Sequence, residues 1–224
     1  MGLFIAIEGG DGSGKGTQAT ALEEYLKAEG RPVFRISFPR YGEDSALYAT
    51  RYLNGAYGED PNAIHPDLAS LPYAIDRFAA KGDIEKALAE PNGVVIADRY
   101  VASNLAHQGT KFDSDEARHA YYAEMKHLEF DILGIPRPTK SIVLIVPTAL
   151  AQENVDKKAT RSYTDRKRDI HEGNSDHLEK AKANYEELCQ LYPEDFVAIQ
   201  CTDESGAMRP IEDIQQSIRQ LISL

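Results

Sequence analysis

Five short apolar runs along the chain have the length and composition of buried parallel strands. They lie within residues 4–8, 31–37, 93–97, 141–146 and 196–199. Longer segments with apolar residues at helical spacing separate them. This alternation predicts an α/β fold, in which a five-stranded parallel sheet is covered by helices on both faces.

Two of the helical segments carry signals of irregular ends or bends. Residues 67–80 have a helical pattern that contains Pro72, which predicts a kink or a break because proline lacks the N–H of a helical hydrogen bond. Residues 113–133 predict another helix, in which Asp113 and Glu116 have the spacing of a capping box.

The first strand runs directly into a glycine-rich segment, FIAIEGGDGSGKGT, which spans residues 4–17. Its spacing fits the pattern of a phosphate-binding loop (P-loop) between a strand and a helix. Glycines let backbone N–H groups turn inward around an anion, and the helix N-terminus adds partial positive charge. We therefore expect Lys15 to reach the β- and γ-phosphates of a nucleotide. The predicted ATP-binding residues are Gly9, Gly10, Asp11, Gly12, Ser13, Gly14, Lys15, Gly16 and Thr17.

The loop departs from the usual pattern after Lys15. A serine or threonine normally follows and binds Mg²⁺ through its hydroxyl, whereas Gly16 follows here and Thr17 comes one residue later. Metal coordination then depends more on water and on other carboxylates. Asp98 ends the third apolar run, which is the place of the magnesium-side carboxylate in P-loop enzymes, and Arg99 adds positive charge there. A salt bridge at the strand end is the alternative.

Two further segments indicate positive charge near a ligand. Arg40 and Tyr41 follow the second strand, and ligands of open α/β sheets bind beyond the carboxyl ends of the strands. Between residues 157 and 168, six of twelve residues are basic. That density predicts a lid over about residues 157–172 that clamps phosphates, although a solvated charged surface has the same pattern.

Composition and charge indicate a globular domain and argue against a nucleic-acid-binding or membrane-spanning protein. The 224 residues are 42% hydrophobic and 27% charged, so we expect residues 1–224 to form a single domain that carries the lid. The net charge of −11 argues against a nucleic-acid polymer as ligand. No apolar stretch approaches the length of a membrane span, and no signal peptide is visible. Cys189 and Cys201 lack metal-binding spacing, which favours a reducing compartment and hence the cytoplasm.

Four segments, taken in order, resemble the thymidylate kinase family of P-loop nucleoside monophosphate kinases. They are EGGDGSGKGTQ, FPRYG, DRYVASN with HQG after it, and a basic segment that ends at residues 169–172. The second and third separate this family from adenylate kinases, whereas the GKGT ending is more like an adenylate kinase. The resemblance implies the fold of that class with a short basic lid, and ATP-dependent phosphorylation of dTMP to dTDP with Mg²⁺. It also implies a homodimer.

The resemblance also implies roles for individual positions. Tyr73 would stack on thymine, and Arg77 and Asn104 would hydrogen-bond the base. Asp98 would orient Mg²⁺, and Asp11 would lie near the acceptor phosphate and the metal. The implied substrate contacts are Asp11, Phe38, Arg40, Tyr41, Tyr73, Arg77, Arg99, Asn104, His107 and Gln108. The implied catalytic residues are Lys15, Arg99, Asp11 and the lid arginines Arg161, Arg166 and Arg168.

Two positions differ from part or all of the family. Gly12 stands where one subtype has an arginine, and members without it carry a compensating arginine in the lid, so we expect a lid arginine to contact the transferred phosphoryl group. His107 stands where Tyr or Phe usually lies against the deoxyribose. Because imidazole is smaller and can hydrogen-bond, we expect weaker rejection of the ribose analogue of dTMP. The alternative is that His107 bonds a neighbour such as Gln108.

Three other functions remain open at this stage. The nearest is another nucleoside monophosphate kinase, with AMP or dCMP as the acceptor. A P-loop switch that hydrolyses its nucleotide slowly is a second, although the N-K-x-D motif of GTPases is absent from the sequence. A non-catalytic dimerisation module is a third, and the presence of Lys15, Asp98 and Arg99 weighs against it.

Overall fold

The computed structural model describes residues 2–58, 60–157 and 175–222. Within these ranges, five strands form one parallel sheet in the order β2-β3-β1-β4-β5. The strands are β1 (Leu3–Gly9), β2 (Val33–Ser37), β3 (Val94–Asp98), β4 (Lys140–Ile145) and β5 (Phe196–Gln200). The predicted α/β fold with a five-stranded parallel sheet is confirmed.

Nine α-helices connect the strands in the same ranges. They are α1 (Lys15–Ala28), α2 (Leu47–Leu53), α3 (Pro66–Ala79), α4 (Lys81–Ala89), α5 (Val101–Gly109), α6 (Asp115–Lys126), α7 (Thr148–Asp156), α8 (Ser175–Leu191) and α9 (Ile211–Leu221). A π-helical turn, His127–Ile132, continues α6. Among the described residues, no helix is long and apolar enough to cross a membrane.

Both faces of the sheet are covered by apolar layers. Along β1, Phe4 and Ala6 point into one layer, and Ile5 and Ile7 into the other, because alternate side chains of a strand face opposite ways. Helices α5, α6 and α8 cover the first layer, and α1 and α9 cover the second. This two-sided burial explains why β1 is apolar at successive positions rather than alternating with polar residues.

The strand register brings three loops to one edge of the sheet. Asp98 pairs with Ile7 of β1 on one side and with Ser37 of β2 on the other. The glycine-rich loop after β1, the loop after β2 and the start of α5 therefore emerge together. In open parallel sheets this carboxyl edge is the place where ligands bind.

Helix α3 continues through Pro72 without a break. The proline removes one helical hydrogen bond, at a cost of about 3 kcal/mol. Buried residues flank it on both sides, with Ala69 and Ser70 before it and Ala74 after it. The break predicted as one of two outcomes at Pro72 is absent, because packing of the flanking turns outweighs the local preference, and a kink there stays a prediction.

Helix α6 begins later and ends earlier than its sequence pattern predicts. Ser114 caps it, since its hydroxyl accepts a hydrogen bond of 3.3 Å from the backbone N–H of Ala117. The predicted capping box at Asp113 and Glu116 is therefore wrong, because Ser114 is the cap and Ala117, three residues later, has no side chain that could return a hydrogen bond. Regular α geometry ends at Lys126, where the π-helical turn starts.

A network of charged side chains joins α6 to α8. The carboxylate of Glu187 accepts hydrogen bonds of 2.8 Å from both Nε and Nη2 of Arg118, and His119 Nε2 lies 2.9 Å away. The hydrogen bonds from Arg118 lower the pKa of Glu187 to about 2, from an ordinary value of 4.5. The folded chain therefore binds this proton less tightly than the unfolded chain does. The network stabilises the fold above about pH 4.5, and this contribution is lost as the pH falls towards 2.

We therefore expect Glu187→Gln to lower the free energy of unfolding by about 1 kcal/mol at pH 7. At pH 2.5 most of the difference from wild type should vanish, because the unfolded chain already binds this proton almost fully and the folded protein has begun to bind it. Urea denaturation at the two pH values measures both differences. The exposed Glu85 provides the control, since Glu85→Gln should change neither. An equal loss of stability at both pH values would show that the charge of Glu187 is irrelevant.

Candidate functional site

The segment between β1 and α1 wraps around the side chain of Lys15. Gly9, Gly12 and Gly14 adopt φ angles of 132°, 80° and 92°, which residues with a side chain rarely adopt. Lys15 Nζ donates a hydrogen bond of 2.8 Å to the carbonyl of Gly10, and the residue is only 7% exposed. Because α1 begins at Lys15, its first N–H groups face the loop. The segment therefore has the form that phosphate binding requires.

Arg99 is held against this loop in a backbone conformation that is rare for arginine. Its φ is 68°, its Nη2 pairs with the carboxylate of Asp11, and its Nη1 donates to the Gly9 carbonyl at 3.1 Å and to Ser103 Oγ at 3.2 Å. Burial disfavours the charged form, but the attraction of Asp11 outweighs it and holds the pKa of Arg99 well above its ordinary value. Arg99 is therefore a permanent and fixed cation beside the loop.

Glu8 is a buried carboxylate on β1 that the sequence analysis did not single out. Its Oε1 accepts from the backbone N–H groups of Tyr100 at 2.9 Å and Ala102 at 3.1 Å, and its Oε2 accepts from Ser103 Oγ at 2.6 Å. Burial raises the pKa of Glu8, and the hydrogen bond from Ser103 opposes this rise. Glu8 thus satisfies N–H groups at the start of α5 and supports Arg99 through Ser103. An acidic residue inside an apolar strand was the available signal.

A cleft at the carboxyl edge of the sheet runs between the glycine-rich loop, the end of β2, α3 and α5. Its walls are formed by Asp11, Phe38, Tyr41, Leu53, Tyr73, Arg77, Arg99, Tyr100, Ser103, Asn104, His107 and Gln108. All the predicted substrate contacts except Arg40 lie in these walls. Leu53, Tyr100 and Ser103 also line the cleft and had not been predicted. The structure brings these residues together, and their roles in binding stay predictions.

One end of the cleft carries polar groups from α3 and α5. Arg77 donates from Nε and Nη2 to the carboxylate of Glu129, at 2.5 and 2.7 Å. The side-chain oxygens Oδ1 of Asn104 and Oε1 of Gln108 are buried, and neither has a partner among the described residues. Buried acceptors are normally satisfied, so this end of the cleft suits a ligand with an N–H donor. The sequence analysis had missed Glu129, which lies in the π-helical turn.

Arg40 lies beside the cleft rather than in its walls. Its Nε is 2.9 Å from Asp76 Oδ1, its backbone N–H donates to Asp76 Oδ2 at 2.7 Å, and its Nη2 donates to Ser45 Oγ at 2.7 Å. Asp76 is fully buried, and its neighbour Arg77 lines the cleft. Arg77 therefore belongs to the wall of the cleft, whereas Asp76 is buried and pairs with Arg40.

The comparison with known protein families identifies the family of this chain. The family model for thymidylate kinase matches residues 7–218. This chain belongs to the thymidylate kinase family. The resemblance predicted from the sequence is confirmed.

Curated relatives and solved structures agree with this assignment. The chain is 36% identical to the thymidylate kinase of Mycobacterium tuberculosis (strain H37Rv), over 83% of this chain and 85% of that protein. It is 30% identical to the thymidylate kinase of Leifsonia xyli, over 97% and 93% of the two chains. The fold is similar to that of thymidylate kinase from Candida albicans, with a TM-score of 0.70 at 20% identity over 99% and 91% of the two chains.

Gly12 occupies the position at which one subtype of the thymidylate kinase family has an arginine. A Cβ atom at Gly12 would lie 2.0 Å from the carbonyl oxygen of Ala151 on α7. Asn154, also on α7, donates from Nδ2 to the Gly12 carbonyl at 3.0 Å. The backbone of α7 therefore leaves no room for a side chain at position 12. The predicted lid arginines, Arg161, Arg166 and Arg168, lie outside the described residues.

His107 lines the cleft and bonds a residue that is distant in sequence. Its Nδ1 is 3.2 Å from His177 Nε2, and His177 Nδ1 is 3.1 Å from Thr110 Oγ1. The hydroxyl of Thr110 already donates to the His107 carbonyl, so it accepts from His177, which in turn accepts from His107. Burial lowers the pKa of His177 to about 4, which keeps it neutral near pH 7. In a neutral His107, Nε2 is then an acceptor. The partner is thus His177 and not Gln108.

Asp98 has the character that a magnesium ligand needs. Its carboxylate makes no hydrogen bond or ion pair within the part of the chain that the structure describes, and a Cβ atom at Gly16 would lie 3.4 Å from its Oδ2. Carboxylate oxygens are ligands that Mg²⁺ prefers. Asp11, the other predicted ligand, is engaged by Arg99. No group of three or more metal-binding side chains occurs among the described residues.

Proposed function

We propose that this protein transfers the γ-phosphoryl group of ATP to dTMP and so produces dTDP. The observation that carries the proposal is the cleft, whose walls bring Asp11 of the P-loop together with Arg77 and Asn104, which are predicted to bind the base. Thymine presents an N3–H donor beside carbonyl acceptors. The buried oxygen of Asn104 and the guanidinium of Arg77 complement that pattern. Membership of the thymidylate kinase family supports the same reaction.

The mechanism requires positioning and charge rather than covalent catalysis. The acceptor phosphate of dTMP is already an anion at neutral pH, so no general base has to remove a proton. Lys15 binds the phosphates of ATP, and Arg99, oriented by Asp11, neutralises charge where donor and acceptor phosphates meet. We assign further neutralisation to the lid arginines, Arg161, Arg166 and Arg168, because Gly12 leaves the loop without one.

Mg²⁺, when it binds with ATP, neutralises charge on the phosphates. Asp98 would hold it, since its carboxylate faces the first turn of α1 beside Gly16. Gly16 offers no hydroxyl, so water and phosphate oxygens would complete the coordination. We retain Asp11 as a second predicted ligand, in competition with its pairing to Arg99. We also propose that the enzyme acts in the cytoplasm.

The test of this function is a panel of acceptors assayed with ATP and Mg²⁺. We expect kcat/KM for dTMP to exceed that for dCMP and AMP by roughly a hundredfold or more, because the buried polar groups would be left unpaired with the wrong base. The kcat/KM for the ribose analogue of dTMP should be less than about a hundredfold below that for dTMP, because we expect His107 to reject the added hydroxyl only weakly. A preference for AMP or dCMP would contradict the proposal. Nucleotide hydrolysis without any acceptor would favour a switch.

A homodimer is the predicted assembly, and α3 offers a surface that suits it. Leu68, Leu71, Ile75 and Phe78 lie on one side of the helix and are between 38% and 62% exposed. A row of four large apolar side chains on one helix face is unusual for a protein surface, and such patches mark interaction sites. We therefore place the dimer contact on this face of α3.

We expect wild type to sediment with the mass of two chains and Ile75→Asp to sediment as a monomer, because a charge would then be buried at the centre of the contact. Ile211→Asp is the matched control, since Ile211 is equally exposed but stands at the start of α9. That variant should remain a dimer. A dimeric Ile75→Asp protein would exclude α3 as the contact.

A further inference from the structure

Glu129 is fully buried in the π-helical turn that follows α6. The turn is marked by a hydrogen bond of 2.9 Å from the N–H of Leu133 to the carbonyl of Leu128, five residues earlier. Such turns are rare in helices and frequent at functional sites. The Glu129 carboxylate meets side chains of both α3 and α5 that line the cleft.

The first of these side chains is Arg77. Two parallel hydrogen bonds join it to Glu129, and its Nη1 donates to the carbonyl of Tyr100 at 3.3 Å. Burial alone would lower the pKa of Arg77, but the Glu129 carboxylate outweighs this and holds the pKa above its ordinary value. Bidentate pairing fixes the plane of the guanidinium. These contacts use three of its five N–H groups, so others can serve a ligand in the cleft.

The second side chain is Asn104. Its Nδ2 lies 3.4 Å from Glu129 Oε1 and 3.4 Å from the carbonyl oxygen of Ser70. Both neighbours are acceptors that cannot donate, so the amide must turn its NH₂ group towards them. Its oxygen Oδ1 is then the atom left for the cleft, where it is buried without a partner among the described residues. The polarity that Asn104 presents therefore depends on Glu129 together with the carbonyl of Ser70.

We propose that Glu129 is a positioning residue that selects the base. By fixing Arg77 and Asn104 together, it makes the cleft present a donor and an acceptor side by side. Thymine complements this pair with a carbonyl oxygen at C4 and an N–H at N3. Cytosine has an amino group at C4 and an unprotonated N3. Its amino donor would then face the donor of Arg77, and its N3 acceptor would face the acceptor oxygen of Asn104. The inference rests on the proposed function, which it deepens.

Glu129→Gln keeps the shape of the side chain and changes its polarity. One of the two oxygens becomes an NH₂ group, which opposes a donor of Arg77 or of Asn104 and weakens the constraint on the amide of Asn104, which then rests on the carbonyl of Ser70. We expect the ratio of kcat/KM for dTMP to that for dCMP to fall at least about tenfold, mainly through loss of dTMP activity. The KM for ATP should change by less than about twofold, because Glu129 hydrogen-bonds Arg77 and Asn104 rather than residues of the P-loop.

Asp76→Asn is the matched control. Asp76 is adjacent to Arg77 in sequence and is likewise a fully buried carboxylate paired with an arginine, but its partner Arg40 lies outside the walls of the cleft. This variant should lower kcat/KM for dTMP and dCMP by the same factor. If Glu129→Gln behaves in the same way, Glu129 supports the structure without selecting the base, and the proposal is overturned.

Glu129→Asp keeps the experiment decisive if the glutamine variant does not fold. The shorter carboxylate retains the charge that Arg77 needs but withdraws from the already long contact with Asn104. We expect the ratio to fall at least about threefold, and an unchanged ratio in a folded variant, judged by thermal unfolding, would overturn the proposal. If wild type does not phosphorylate dTMP, the proposed function itself fails. If wild type does so but no variant alters the ratio, only the role of Glu129 fails.

Discussion

Lys15→Ala is expected to lose nearly all phosphoryl transfer and to keep its fold. Removing a cation that acts on charge developing in the transition state costs about 3 kcal/mol or more, which is at least roughly a hundredfold in rate. In the structure Lys15 donates to the loop carbonyl of Gly10, and the loss of that hydrogen bond costs the fold about 1 kcal/mol. Steady-state kinetics with ATP and dTMP, together with a thermal melt, measure the two effects separately.

Lys27→Ala is the control for this variant. Lys27 lies on the same helix, α1, but is exposed and paired with Glu23. Its loss should leave kcat and KM close to wild type. If Lys15→Ala retains activity within a factor of three of wild type, the glycine-rich loop does not bind the transferred phosphates and the proposed mechanism is wrong.

Arg99 should show an equally large effect on catalysis with an unusual effect on stability. Arg99→Ala and Arg99→Gly remove the cation beside Asp11, so both should lower kcat by roughly a hundredfold or more. The two variants should differ in stability, because φ at this position is 68°, a conformation that glycine adopts without strain. We expect Arg99→Gly to be more stable than Arg99→Ala by about 1 kcal/mol. Kinetics and denaturant unfolding of the pair provide the measurements.

Arg137→Ala serves as the control for loss of an arginine. Arg137 is exposed and pairs with Asp131 on the surface, so this variant should retain wild-type kcat. Equal stability of the two Arg99 variants would show that the backbone at this position is not under strain. Wild-type kcat in either of them would remove Arg99 from the catalytic mechanism.

The P-loop and the strands were predictable because their signals are local. Glycines at positions 9, 12 and 14 are required by the φ angles of those same residues. The apolar run of β1 reflects burial on both faces, which each residue of the strand experiences directly. The order of the elements then placed the loops after β1, β2 and β3 at one edge of the sheet. The motifs and the family resemblance together also supplied nine of the twelve residues that line the cleft.

Residues that orient the cleft side chains were not predictable, because their partners are far away in the chain. Glu129 is 52 positions from Arg77, and Asp76 is 36 positions from Arg40. A glutamate or an aspartate in a helical pattern has the same local signal whether it faces solvent or a buried arginine. Only the packing of α3, α5 and the π-helical turn decides which.

The difference between local signals and tertiary contacts also explains which of the other sequence predictions were confirmed and which were wrong. Phosphate binding was predictable from a short motif, because a phosphate-binding loop needs its glycines and its lysine within a few residues of one another. The helix through Pro72, the partner of His107 and the exclusion of a side chain at Gly12 were decided by tertiary contacts. Each depends on contacts between segments that are distant in the sequence and meet only when the chain folds. A local pattern therefore determined which groups are present, and the tertiary structure determined which atoms they turn towards the ligand.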